Sequence, residues 1–172
     1  FAGDSAGGID VLRDPNDPDV VYAATWQIEM HTWGRFSGGA GSGIWKSTDN
    51  GATWHHLAGS GLPTRPFGKV GLGVTKADSR RVYALIETGK GIPWKGEPTD
   101  TGTLWRSDDA GQSWRLVNSN SGLLSRPAYY TRMAVAPRFV VVKRSRLCES
   151  THQCRRHQMF IDKSIHSTFF GS

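Results

Sequence analysis

The chain has 172 residues, with 37% hydrophobic residues and a mean hydropathy of −0.44. That length suits one ordinary domain, and no apolar run approaches the roughly 18 residues of a membrane-spanning helix. High glycine (21) and tryptophan (7) counts exclude a helical bundle and favour short strands joined by turns. The formal charge of +6 is unevenly spread. Residues 1–137 hold 14 Lys/Arg against 13 Asp/Glu, whereas residues 138–172 hold 7 against 2. The basic excess belongs to the C-terminal segment, so the rest lacks the charged face that nucleic-acid binding requires. All seven tryptophans precede residue 138, and both cysteines, Cys148 and Cys154, follow it. The chain opens on Phe1 without a Met or a basic leader, so any targeting segment is expected to be removed or missing.

In chain order the first expected strand is Ile9–Leu12. A turn follows over Asp14-Pro15-Asn16-Asp17-Pro18, rich in residues that fix or permit turn dihedrals. The second strand is expected at Val20–Thr25 and is followed by a long loop. The third lies at Gly43–Ser47 and the fourth at Thr53–Leu57. The same order then recurs at Val70–Thr75, Val82–Glu87, Thr103–Ser107 and Ser113–Val117, with Arg132–Ala136 as a third copy of the first strand.

An internal repeat underlies this order. Gly43-Ile44-Trp45-Lys46-Ser47-Thr48-Asp49-Asn50-Gly51-Ala52-Thr53-Trp54 returns as Thr103-Leu104-Trp105-Arg106-Ser107-Asp108-Asp109-Ala110-Gly111-Gln112-Ser113-Trp114, so both tryptophans recur after 60 positions. Val20-Val21-Tyr22-Ala23-Ala24 matches Arg81-Val82-Tyr83-Ala84-Leu85 after 61. Four antiparallel strands per repeat predict an all-β partial β-propeller. Its first blade covers about 8–58, its second about 68–118, and a third begins at about 129–137. The repeat pattern stops after Pro137, where no further turn or tryptophan follows. Residues 138–172 are therefore expected to be an irregular, disordered basic tail of foreign origin, through a frame change, a gene-model error or a recombination junction; a divergent native C-terminus is the alternative.

Both copies of the tight turn fit S-x-D-x-G-x-[TS]-W. The Asp and Ser are suited to accept backbone N–H bonds, the Gly to take positive φ, and the Trp to pack on the neighbouring strand. This pattern resembles the Asp-box, or bacterial neuraminidase repeat. Ser47, Asp49, Gly51, Thr53 and Trp54 match it fully, and Ser107, Asp109, Gly111, Ser113 and Trp114 match it with Ser for Thr. Together with Gly8-Ile9-Asp10, Asp17–Tyr22, Trp26-Gln27, Phe36–Gly39, Val82–Glu87 and Tyr129-Tyr130-Thr131, it makes residues 5–137 similar to sortilin-type, glycosyl-hydrolase-like propellers. The resemblance implies an extracellular or periplasmic protein that needs further blades to complete its propeller. It implies a structural role for the ten turn residues.

The segment Trp26–Ser42 is the candidate binding surface. Trp26, Glu29, His31, Trp33, Arg35 and Phe36 combine aromatic faces with charge, a set that suits a sugar ring or a peptide. The counter-reading is that these aromatics anchor the loop to its own sheet. The segment Thr88–Thr101, with Trp94, Lys95 and Glu97, carries the same reading more weakly. Glycoside hydrolysis uses two carboxylates, and Asp4, Asp10, Glu29, Glu87 and Glu97 lie outside turns and Asp-boxes. Asp10 suits a hydrogen-bonded structural role. Sialidases use a Tyr–Glu nucleophile and an arginine triad, and Tyr129, Tyr130, Arg132 and Arg35 do not reproduce that set. No catalytic residue is therefore assigned. Cys148, His152, Cys154 and His157 fit no standard zinc spacing, so neither metal nor cofactor is expected. The preferred reading is a non-catalytic propeller module that presents loops to a protein, peptide or glycan. The alternative is a piece of a sialidase- or xyloglucanase-like glycoside hydrolase whose catalytic carboxylates lie partly in other blades.

Overall fold

A computed structural model describes residues 4–88, 100–124 and 131–136, and the backbone of 140–142 and 159–160. Its strands are β1 (Ala6–Arg13), β2 (Val21–His31), β3 (Gly34–Ser37), β4 (Gly43–Ser47), β5 (His55–Leu57), β6 (Val70–Thr75), β7 (Asp78–Ile86), β8 (Leu104–Ser107), β9 (Arg115–Asn118), β10 (Met133–Val135), β11 (Val140–Val142) and β12 (Met159–Phe160). The chain is all-β, and every strand pairing is antiparallel. The first sheet runs β1-β2-β4-β5 with β3 added to β2, and the second runs β6-β7-β8-β9. These are partial propeller blades, and the two expected four-strand units are present at the expected places.

One element differs from the sequence expectation. β2 does not end near Thr25 but continues to His31, and β3 pairs back on it, Ile28 opposite Ser37 and His31 opposite Gly34. The segment read as a loop is thus largely a hairpin. β10, β11 and β12 form a third sheet, so its strands come from both sides of the 137/138 junction. The remainder of 138–172, including Cys148, His152, Cys154 and His157, lies outside the described residues.

Strand alternation builds two cores from one strand. Successive side chains of β7 point to opposite faces. Val82, Ala84 and Ile86 join Tyr22, Ala24 and Ile44 of the first sheet, with Val70, Leu72, Val74 and Trp105, in the core between the two sheets. Tyr83 and Leu85 turn the other way, to Leu104, Leu123 and Leu124, with Met133 and Val135 packed against them. Val82 through Ile86 are each 0% exposed, which is why this strand reads as an unbroken apolar run and not as an apolar/polar alternation.

The sheets also meet through backbone. The Trp114 N–H donates to the Ser60 carbonyl at 2.7 Å, and the chain passes beneath Trp114 at Gly61, whose φ is 95°. A Cβ at residue 61 would lie 1.9 Å from the Trp114 carbonyl oxygen. Both the left-handed φ and this backbone contact demand glycine. Gly61→Ala should therefore destabilise the chain by about 2–3 kcal/mol, read from the midpoint of urea unfolding; an unchanged midpoint would refute this account of the contact.

Candidate functional site

The two tight turns adopt the same hydrogen-bonded geometry. In the first, the Ser47 hydroxyl donates to Asp49 Oδ1 at 2.7 Å and accepts from the Gly51 N–H at 2.8 Å. The Thr53 N–H and hydroxyl both donate to the Asp49 carboxylate. In the second, Ser107, Asp109, Gly111 and Ser113 repeat each bond. Positive φ falls at Asn50 (55°) and Gly51 (92°), and again at Ala110 (58°) and Gly111 (93°). These donors favour the ionised acid. The Thr53 hydroxyl, then its N–H and the Ser47 hydroxyl, pull Asp49 down to about 2, and Ser113 and Ser107 do the same to Asp109.

The second turn is also an inter-sheet anchor. Its Ala110 carbonyl accepts both the Tyr22 hydroxyl (3.1 Å) and the Lys46 ammonium (2.9 Å) from the first sheet. Burial, assisted by the Asp14 charge, pushes the Tyr22 phenol up, so it remains a donor. Burial lowers the Lys46 ammonium, while Asp14 and Asp109 pull it back up.

The hairpin separates the six candidate binding residues into two groups. β2–β3 pairing puts Glu29 opposite Phe36, and Met30 opposite Arg35. Glu29, His31 and Phe36 therefore share one face, with Trp33 at the tip. The His31 and Trp33 rings stack at 4.7 Å and 4°, and Phe36 meets both edge-on, at 5.9 and 5.6 Å. Glu29 lies 3.8 Å from His31 Nε2. Trp33 stays 72% exposed. Arg35 and Trp26 are on the opposite face, and Met30 beside Arg35 is also 72% exposed. Sequence reasoning did not single out Met30; its period-2 spacing from Trp26 and Ile28 is the signal that would have placed it there.

Trp26 belongs to a buried network instead. Its indole N–H donates to the Ser37 hydroxyl at 2.9 Å, and that hydroxyl donates to Glu87 Oε2 at 2.7 Å. The same carboxylate oxygen accepts the Lys69 N–H at 2.8 Å. The Lys69 ammonium lies 5.5 Å from the Trp26 ring centre. Burial lowers Lys69, Arg132 adds repulsion, and Glu87 and Asp10 oppose both. Glu87 is 1% exposed and ties the base of the hairpin to the second sheet. Asp10 likewise accepts the Leu72 N–H at 2.9 Å. Both inner carboxylates thus act as acceptors for neighbouring structure. Glu97, Trp94 and Lys95 of the second loop, with Tyr129 and Tyr130, lie outside the described residues. Among the described residues no three His, Cys, Asp or Glu side chains gather as a metal site, and no helix is long and apolar enough to cross a membrane.

Over 118 residues, 65% of the chain, the sequence is 34% identical to a xyloglucanase of Paenibacillus sp, of which this stretch is 10%. Over 128 residues, 67% of the chain, it is 34% identical to a xyloglucanase of Hypocrea jecorina (strain QM6a), of which the stretch is 13%. The chain spans only about a tenth of the length of the curated relatives it matches. The similarity is to glycoside-hydrolase-like proteins. No protein-family model matches the chain.

Two predictions follow from this geometry. Asp49 and Asp109 have folded-state values below the ordinary carboxylate range near 4. They therefore contribute stability above that range and lose it as pH falls towards about 2. Thermal melts of the chain carrying Asp49→Asn and Asp109→Asn should show a shallower loss of stability between about pH 4 and 2 than the parent; parallel curves would contradict the assignment. Glu87→Ala strips the acceptor from two buried donors and should cost about 3 kcal/mol in chemical unfolding, against about 1 kcal/mol for Ser37→Ala. Equal, negligible losses would show that the network carries no load.

Proposed function

We propose that the chain is a repeat-bearing part of a glycoside-hydrolase-like Asp-box propeller and that it contributes a carbohydrate-contacting surface, not the catalytic carboxylates. In this reading Ser47, Asp49, Gly51, Thr53 and Trp54, and Ser107, Asp109, Gly111, Ser113 and Trp114, are structural Asp-box residues. The contacting surface is the tip of the β2–β3 hairpin.

The observation that carries the proposal is the exposed Trp33 ring held parallel to His31. A flat aromatic pair offers the non-polar C–H face of a pyranose an area to cover, at little entropic cost because the rings already support one another. Glu29 at the rim supplies an acceptor for sugar hydroxyls. The similarity to two xyloglucanases favours a β-glucan backbone as ligand. It equally supports the second reading, in which acid and base residues from other parts of a longer hydrolase act on a glycan that this surface holds. Asp10 and Glu87 are already engaged as backbone and hydroxyl acceptors, which supports placing that chemistry elsewhere.

An array of xyloglucan and cello-oligosaccharides tests the surface. Trp33→Ala should weaken binding about tenfold or more while leaving the melting temperature unchanged, because the side chain is mostly in solvent. Binding that is absent in the parent, or unaltered in the variant, would remove the hairpin from consideration.

A further inference from the structure

The two tight turns make matching hydrogen bonds but differ where Asn50 of the first stands for Ala110 of the second. Asn50 is the only one of the chain's four asparagines that is followed by glycine. The pair holds the parts of an intramolecular reaction. The Asn50 side-chain amide carbon is an electrophile, the Gly51 backbone nitrogen is a nucleophile, and no Cβ at residue 51 crowds the approach. Asn50 is exposed, so water and hydroxide reach it. Its Oδ1 accepts from Arg13 Nη2 at 2.6 Å, and that charged donor draws electron density from Cγ. Among the described residues nothing accepts from its Nδ2, the nitrogen that would leave. The nucleophile, by contrast, is restrained. The Gly51 N–H donates to the Ser47 hydroxyl at 2.8 Å, and Ser47 is 0% exposed. The proton that must be lost is therefore turned into the hairpin, away from base in solvent. That bond has to open locally before the nitrogen can attack.

We propose that Asn50-Gly51 is a modification site, where the chain deamidates and isomerises its own backbone with water as co-reactant, and that the Ser47 hydroxyl is the restraint on its rate. Hydroxide takes the Gly51 N–H proton, and a bond forms between Gly51 N and Asn50 Cγ. The Cγ–Nδ2 bond breaks, and Nδ2 leaves as ammonia after taking a proton from water. Water then opens the cyclic imide at either carbonyl, giving aspartate or isoaspartate; nothing is oxidised or reduced. The isoaspartate form routes the main chain through the former side chain, one methylene longer. That shift draws the Gly51 N–H off Ser47 and the Thr53 N–H off Asp49. The second turn keeps the same bonds, Gly111 to Ser107 and Ser113 to Asp109, and with Ala110 it has no amide to react. The inference is independent of any glycan ligand.

Ageing the full chain at mildly alkaline pH tests this. Peptide mapping by mass spectrometry, with enzymatic methylation of isoaspartate, should show conversion at Asn50 ahead of Asn16, Asn118 and Asn120. Ser47→Ala should speed conversion about tenfold, the equivalent of one hydrogen bond. Ser107→Ala removes the matching hydroxyl from the second turn and should leave the Asn50 rate within about twofold of the parent. Asn50→Gln should abolish isoaspartate at this position. Amide exchange in the aged protein should quicken at Gly51 and Thr53 and stay unchanged at Gly111 and Ser113. Equal acceleration by Ser47→Ala and Ser107→Ala would route the reaction through unfolding of the whole chain and overturn the role of Ser47. Asn50 no faster than the other three asparagines, in the parent and in Ser47→Ala alike, would overturn the site itself.

Discussion

The Ala110 carbonyl fastens the two sheets at the rim of the core they share, alongside the Trp114–Ser60, Leu72–Asp10 and Ser37–Glu87 hydrogen bonds. It projects from a turn whose φ of 58° is held by the Ser107–Asp109 bonds, and it receives both Tyr22 and Lys46 from the neighbouring sheet. A carbonyl on a strand would be consumed by the ladder. A carbonyl on a left-handed turn faces outward, where a neighbour can reach it. The turn motif therefore does two things at once. It closes its own hairpin, and it offers a fixed acceptor to the adjacent sheet. Around that acceptor, burial keeps the tyrosine protonated, and the charges of Asp14 and Asp109 partly offset the effect of burial on Lys46, whose ammonium still sits below its ordinary range.

At the base of the hairpin the same logic operates with side chains. Ser37 and Glu87 are separated by 50 residues in sequence and by one hydrogen bond in space. Glu87 ends the apolar run of β7, and there its carboxylate meets a serine hydroxyl and a backbone N–H instead of solvent. Buried polar groups are tolerable when their partners are present, and here each partner comes from a different element. The hairpin tip, by contrast, is held by the β2–β3 ladder and by the packing of the His31, Trp33 and Phe36 rings on one another.

The repeat was legible because blade geometry imposes period-2 alternation and fixed turn chemistry on each copy. Val82–Ile86, Ser107–Trp114 and their first-copy partners satisfy the same local constraints, so they resemble one another in sequence. The hairpin was not legible. Trp26–Ser42 contains six glycine or serine residues, and the run Gly38-Gly39-Ala40-Gly41-Ser42-Gly43 reads as loop, which hid the strand continuing from Thr25 to His31. The six candidate residues also read as one group, and strand alternation divides them, sending Trp26 and Arg35 to the face opposite His31 and Phe36.

Sequence alone determined the order of the four strands that recur in each repeat, the two matching turns and the residues that hydrogen-bond within those turns, since the repeat writes each of them twice. Only the tertiary structure decided that Glu87 and Asp10 serve as acceptors across sheets, that Lys46 reaches Ala110, and that Val11 stands open where Leu72 is covered. Those outcomes depend on which faces of two nearly identical sheets are opposed, a relation between copies that no single copy's pattern contains.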